Sequence, residues 1–429
     1  MVPITATTDD LELDALIVGS GFGGVYQLKR LRDRGFNVKL VEAGSDFGGV
    51  WCVIKQVSLA TPLLTMLAYP GCRVDIPVPL YEFSDPELWT DWTWQQKFPG
   101  STELRSYFEY VAKKWDLRKD TIFNSMVSSA TWHETSARWH IRTSNGDVFK
   151  TQFFLPNTGF AAKRHIPDWK GIDTFKATFI HPSYWSKEEP DLKGKKIAVI
   201  GTGSTGIQLA QALAPLASEF YLFQRTPNMC NPMGQEDCTG GKDPTNDRYA
   251  LYAGRKDSYG GVDFNFLPKA TFEDNEEERK QTYESLWAEG DFHYWLAGYH
   301  DTLFSDLANT EAYNFWKAKE KFAPEIKPHA FGCKRVSLEN GFYELFDKPN
   351  VHLIDVKDDP IEEITSTGIK TAKESFDLDF VVCATGYDAI TGGIIDMNIS
   401  GEKGVKLNEK WRDGVKTYLG LSVSSFPNM

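Results

Sequence analysis

The sequence predicts an α/β protein with two Rossmann-like dinucleotide-binding domains and a helical insertion. Three observations predict this. A glycine-rich loop stands between a buried strand and a helix near the N-terminus, and a second one recurs near residue 200. Residues from about 230 to 330 are rich in charge and in Trp, Tyr and Phe at helical spacing, as in "EERKQTYESLWAEGDFHYWLAGYHDTLF", which reads as amphipathic helices with core aromatics.

The first unit is "LDALIVGSGFGGVYQLKRLRDRGFNVKLVEAG". Its "ALIV" is a continuous apolar run, as a parallel strand covered on both faces requires. Gly19, Gly21 and Gly24 then supply the GxGxxG spacing, "VYQLKRLRD" reads as a helix stopped by Gly35, and "NVKLVE" is the next strand. Glycines there let a backbone approach a pyrophosphate while the helix N-terminus faces the anion. Glu42 ends the second strand, where a carboxylate accepts hydrogen bonds from ribose hydroxyls. A glycine turn without a ligand is the plainer alternative, but strand, loop, helix, strand and acid all fall in order.

The second unit, "GKKIAVIGTGSTGIQLAQALAPLASEFYLFQRTPN", repeats the pattern with Gly201, Thr202, Gly203, Ser204, Thr205, Gly206 and Ile207. Arg225 and Thr226 follow its second strand, in place of an acid. An arginine suits a 2′-phosphate by charge and bidentate hydrogen bonding, whereas Glu42 would repel one. FAD is therefore expected on the first loop and NADPH on the second, although Arg225 could also be a solvated strand-end charge. Nicotinamide and flavin exchange hydride only face to face, so two such sites imply an oxidoreductase.

Composition narrows the class further. A net charge of −12 argues against nucleic acid as the main partner. The 41% hydrophobic and 14% aromatic content is enough for large cores. Six cysteines without a CxxC pair exclude the usual zinc spacings and a reductase dithiol, so no metal is expected. Scattered thiols and a polar, acidic N-terminus fit a cytoplasmic protein, and no stretch reads as a membrane span.

Between the two loops, "FKATFIHPSYWS" resembles the fingerprint of Baeyer–Villiger monooxygenases, FxGxxxHxxxW followed by Pro or Asp. The segments "EAGSDFGGVW", "YPGCRVDIPVPLYEFS", "WTWQQKFPG", "FQRTPNMCNPM", "FGCKRVSLENGFYELF" and "CATGYDAITGG" are similar to cyclohexanone and cyclopentanone monooxygenases. The resemblance runs from about Asp14 to the last residue. It implies that Gly19, Gly21, Gly24, Glu42, Val50, Trp51, Asp75, Ile76, Tyr81 and Val127 hold FAD. It also implies that Arg73, Val74, Gly201 to Ile207, Arg225, Thr226 and Lys334 hold NADPH. Arg335 matches the family's catalytic arginine, with Asp75 orienting it, while His181 and Trp185 couple cofactor binding to domain motion. The implied reaction uses NADPH and O2 to form a flavin C4a-peroxide that inserts oxygen beside a ketone carbonyl, giving an ester or lactone. Degradation of cyclic ketones and tailoring of a secondary metabolite are equally compatible with it.

Three departures from the family pattern stand out. The fingerprint glycine is Ala177 and its last position is Ser186. Ala177 would carry about 1 kcal/mol of strain if its φ were positive. Residues 52–68, "CVIKQVSLATPLLTMLA", replace a short spacer and read as translated intron or as an inserted pocket loop. Relatives continue for roughly a hundred residues past "SSFPNM", as much as a small domain. The site is expected to be more open to water as a result, which puts turnover in question.

The expected domains are discontinuous: 1–155 for FAD, 156–229 for NADPH, 230–330 as the helical insertion, 331–383 again for NADPH, and 384–429 again for FAD. The strand in "FDLDFVVCATGYD" reads as the start of that last return. Two other readings remain, an N- or S-oxygenating flavin monooxygenase and an inactive nucleotide-binding relative.

Overall fold

The computed structural model describes residues 11–51, 69–185, 190–238, 248–320 and 322–429. Each glycine loop opens its own sheet. In the first sheet, Leu11–Val18 pairs in parallel with Val38–Val41 on one side and Val148–Pro156 on the other. The apolar run Ala15 to Ile17 is fully buried, as a strand covered on both faces must be. An antiparallel meander, Val127–His133 and Arg138–Thr143, extends this sheet beyond Val148–Pro156. Ile399–Ser400 closes its far edge. The last residues pack on the same sheet: Trp139 Nε1 donates to Pro427 O at 2.8 Å, and Val423 and Phe426 are buried beside Trp411.

The second sheet is wholly parallel, in the order Val351–Asp355, Glu219–Gln224, Lys196–Ile200, Phe380–Cys383, Thr178–Ile180. One sequence expectation changes here. The strand of "FDLDFVVCATGYD" lies inside the second sheet, not at the start of the first domain's return. Its four residues, Phe380 to Cys383, are all buried, which demands strands on both edges and cover on both faces. The chain turns back only from Ala384. The stretch "FKATFIH" adds to this sheet, because Thr178–Ile180 forms the edge strand beside Phe380–Val382.

The insertion folds around the helices Glu276–Glu289 and Asp306–Lys319. Asn275 caps the first by accepting from the N–H groups of Glu277 and Glu278, while Glu278 reaches back to the Asn275 N–H. Tyr283, Tyr294, Tyr299 and Trp316 are buried there, as core aromatics.

Two chain crossings join the halves, residues 157–165 outward and 384–390 back. They bond to each other through His165 N to Gly386 O (2.9 Å), Asp388 N to Lys163 O (2.8 Å) and Ile390 N to Phe160 O (3.3 Å). Among the described residues no helix is long and apolar enough to cross a membrane.

Candidate functional site

Both glycine loops are built by the same three constraints. Gly19 and Gly201 have φ of +98° and +109°, and a Cβ on either would strike a carbonyl, Asn157 O or Ala384 O. Gly24 and Gly206 press against the carbonyls of Gly19 and Gly201, so a Cβ there would overlap backbone. The middle glycines differ: a Cβ on Gly21 would meet only Gly49 Cα, at 3.7 Å, and one on Gly203 nothing within 4 Å. Those positions leave a cradle that a side chain would fill. They are also the N-caps of the helices Phe22–Asp33 and Ser204–Leu213, and neither end has a side-chain cap or an acid in its first turn. The first N–H groups of both helices are thus left for an anion. This donor set fits a dinucleotide pyrophosphate at each loop.

The strand ends separate the two loops. Glu42 is half-buried and accepts from Ser20 N (2.7 Å) and Gly44 N (2.6 Å), which fixes a carboxylate beside the first loop. Arg225, at the matching end of Glu219–Gln224, is exposed and has no ion pair among the described residues. Thr226 is tied to the second loop, because Thr202 Oγ1 donates to its carbonyl at 3.0 Å. Lys334 is exposed next to Arg335.

One cavity of about 830 Å³ runs between the loops. Of the residues expected from the sequence, Gly19, Gly21, Glu42, Val50, Trp51, Arg73, Val74, Asp75, Tyr81, Val127, His181, Gly203, Ser204, Thr205 and Arg335 line it. Gly24, Ile76, Gly201, Thr202, Gly206, Ile207, Trp185, Arg225, Thr226 and Lys334 do not. Gly24 and Gly206 act from behind the cradles, and Ile207 is buried in the core.

Arg335 and Asp75, 260 positions apart, form a bidentate pair on the cavity wall, Nε to Oδ2 at 2.7 Å and Nη2 to Oδ1 at 2.8 Å. The guanidinium also lies over the Phe292 ring, 4.9 Å from its centre. Burial works against its charge, but the Asp75 pair outweighs it and raises the pKa, so Arg335 remains a cation. Tyr81 accepts from Trp51 Nε1 at 3.3 Å, and burial pushes its phenol up to about 12 despite that hydrogen bond.

His181 and Trp185 part company. His181 is buried, and burial lowers its pKa to about 4, so it is neutral. Its Nδ1 accepts from Ser183 N (3.2 Å), and its Nε2 must then donate to Gly386 O (3.0 Å) on the returning crossing. Trp185 is buried off the cavity, with its ring 5.7 Å from that of Phe380. Ala177 is exposed and outside the left-handed region, so the strain expected of it is absent. Ser186 and residues 52–68 lie outside the described residues.

Sequence reasoning gave no role to the segments that receive the first glycine of each loop, Asn157-Thr158-Gly159-Phe160 and Ala384-Thr385-Gly386-Tyr387, although the second lies in a stretch similar to the family. Both line the cavity, the latter through Ala384, Gly386 and Tyr387. A signal existed, since Thr-Gly-aromatic recurs after each crossing strand. Tyr69 and Gln208 were missed as well.

The family model for flavin-binding monooxygenase-like proteins matches residues 14–230. Cyclopentanone 1,2-monooxygenase of Comamonas sp. is 38% identical across 99% of this chain and 79% of its own length. The FAD-binding monooxygenase acrE of Aspergillus aculeatus is also 38% identical, across 98% of this chain and 71% of its own. Among solved structures, OTEMO in complex with FAD and NADP superposes with a TM-score of 0.91 at 34% identity, over 97% of this chain and 79% of that one. With two pyrophosphate cradles on one cavity and these relatives, the chain belongs to the flavin-binding monooxygenases, in the Baeyer–Villiger group that includes cyclopentanone and cyclohexanone monooxygenases.

Proposed function

We propose that this protein is an FAD- and NADPH-dependent Baeyer–Villiger monooxygenase that converts a ketone and O2 into an ester or lactone. The single cavity joining both cradles past the Arg335–Asp75 pair is the observation that supports this reading best. When bound, FAD supplies hydride acceptance from NADPH and the activation of O2. The first loop and Glu42 hold the FAD pyrophosphate and ribose, and Val50, Trp51, Ile76, Tyr81 and Val127 shape its surroundings. The second loop holds the NADPH pyrophosphate, with Arg225, Thr226 and Lys334 at the 2′-phosphate and Arg73 and Val74 toward the nicotinamide.

Arg335 places a permanent cation where negative charge develops on oxygen as it reaches the carbonyl. Asp75 fixes the plane of that guanidinium through two hydrogen bonds and limits its net charge. A neutral His181 cannot serve as an acid at neutral pH. It holds the returning crossing at Gly386 and so ties the fingerprint stretch to the link between the halves. Trp185 supports this from the core. We divide the chain at 155, 229, 330 and 383, a reading supported by the two sheets and the insertion, and the five free cysteines of the described residues suit a cytoplasmic setting.

The test is product analysis with purified, FAD-loaded protein and a panel of cyclic ketones. The expected result is ketone-dependent NADPH oxidation with one ester or lactone formed per NADPH. A protein that oxygenates amines or sulfides but no ketone would overturn the reading.

A further inference from the structure

The turn at Tyr69–Asp75 belongs by sequence to the first domain, yet the second domain holds both of its ends. At one end Asp75 meets Arg335, a pair whose side chains are 24% and 54% exposed. Such an exposed pair orients the guanidinium but adds little to holding the two domains together. The other end is buried. Tyr69 OH stands 2.8 Å from Gln208 Oε1 and 3.2 Å from Thr205 Oγ1. A phenol has one proton, so it donates to the Gln208 carbonyl and accepts from the Thr205 hydroxyl. The same Gln208 side chain donates through Nε2 to Arg73 O at 3.1 Å. Both ends of the Gln208 amide are therefore committed to one turn of the other domain.

The backbone fits as closely. Gly71, at φ +79°, lies so near the helix Ser204–Leu213 that a Cβ would come within 3.0 Å of Gln208 O and 3.2 Å of Ala212 Cβ. Thr205 and Gln208 stand in the first turns of that helix, whose N-terminus is the second cradle, and both line the shared cavity with Tyr69. Tyr69 is fully buried, which keeps its phenol protonated as a donor.

We propose that Tyr69 and Gln208 are positioning residues that lock the NADPH-binding helix in register with the Arg73–Asp75 side of the flavin site, and thereby set the distance for hydride transfer. The proposal rests on the FAD and NADPH assignment above. A rigid buried hydrogen bond suits this task because transfer rates fall steeply with small misplacements, about 10²-fold for 1 Å, while binding of the distant adenosine end is untouched.

The experiment is a double-mutant cycle with Tyr69→Phe, Gln208→Leu and the double variant, all as FAD-loaded protein. Anaerobic stopped-flow should show each single variant reducing its flavin about tenfold more slowly, with NADPH affinity and Tm near wild type. The double variant should lose less than the product of the two single losses, because the Tyr69–Gln208 contact is removed in each. Hydrogen exchange on the same proteins without NADPH gives a second readout. Amides in 69–75 and 204–208 should exchange faster in all three variants, and those of Lys196–Ile200 should not. Additive rate losses, unchanged rates, or losses that follow affinity and Tm would overturn the proposal. If wild type is not reduced by NADPH at all, the cofactor assignment fails instead, and unchanged exchange in the variants would then sink the lock on its own.

Discussion

The two glycine loops invite direct comparison, because the chain builds the same cradle twice and finishes it differently. In both, the first glycine lies under a carbonyl from the crossing strand, the last seats the helix, and the middle one leaves space. The differences lie at the rims. A carboxylate held by Ser20 N and Gly44 N borders one cradle, and an exposed guanidinium borders the other. On the proposed function, backbone geometry makes a pyrophosphate site, and one side chain at the strand end sorts which dinucleotide enters it.

The most severe way to test the comparison is to break each cradle from behind. Gly24→Ala and Gly206→Ala both drive a Cβ into backbone, a change that costs about 3 kcal/mol locally. Gly24→Ala should purify colourless, whereas Gly206→Ala should remain yellow but resist reduction by NADPH, as absorbance spectra will show. Equal loss of flavin from both would erase the proposed division. Next in size is Arg335→Ala, expected to lower ester formation about 10²–10³-fold while flavin reduction by NADPH changes little. Product assays and anaerobic stopped-flow separate the two steps.

His181 sharpens an asymmetry between the crossings. Its pKa is lowered to about 4 in the fold, against about 6.5 when unfolded. Between those values the unfolded chain binds the extra proton, so this contribution is complete above about pH 6.5 and is lost as pH falls toward 4. It amounts to about 3 kcal/mol at most. Denaturant titrations should show a smaller loss of stability between pH 7 and 4.5 in His181→Asn than in wild type. The smallest effect is expected at the rim. Arg225→Ala should raise the KM for NADPH about tenfold, the worth of one charge-assisted hydrogen bond, and leave the KM for NADH nearly unchanged. An unchanged KM for NADPH would return Arg225 to the role of a solvated charge, and an equal rise for NADH would remove the 2′-phosphate as its partner.

Much of this was legible because it is local. Glycine spacing, the apolar runs "ALIV" and "KIAVI", and the residues that end the next strands all fall within thirty or so positions of chain. The Arg335–Asp75 pair was foreseen only through family resemblance, since nothing local links residues 260 apart. What escaped needs tertiary information. Asn157 and Ala384 contribute a backbone carbonyl, which leaves no demand on side-chain type. Phe380–Cys383 reads as a buried strand in either sheet until its neighbours are known. Tyr69 and Gln208 are ordinary polar residues on separate domains, and only the packing of Gly71 on the helix brings them together.

In the proposed arrangement the first loop holds the flavin, the second holds NADPH, and the shared cavity lets one reduce the other. Anaerobic mixing of the yellow protein with NADPH, followed at the flavin absorbance maximum, tests this most directly. Full bleaching by NADPH, with NADH at least about tenfold less effective, is the predicted result. A flavin that stays oxidised in excess NADPH, or that NADH bleaches equally well, would contradict it.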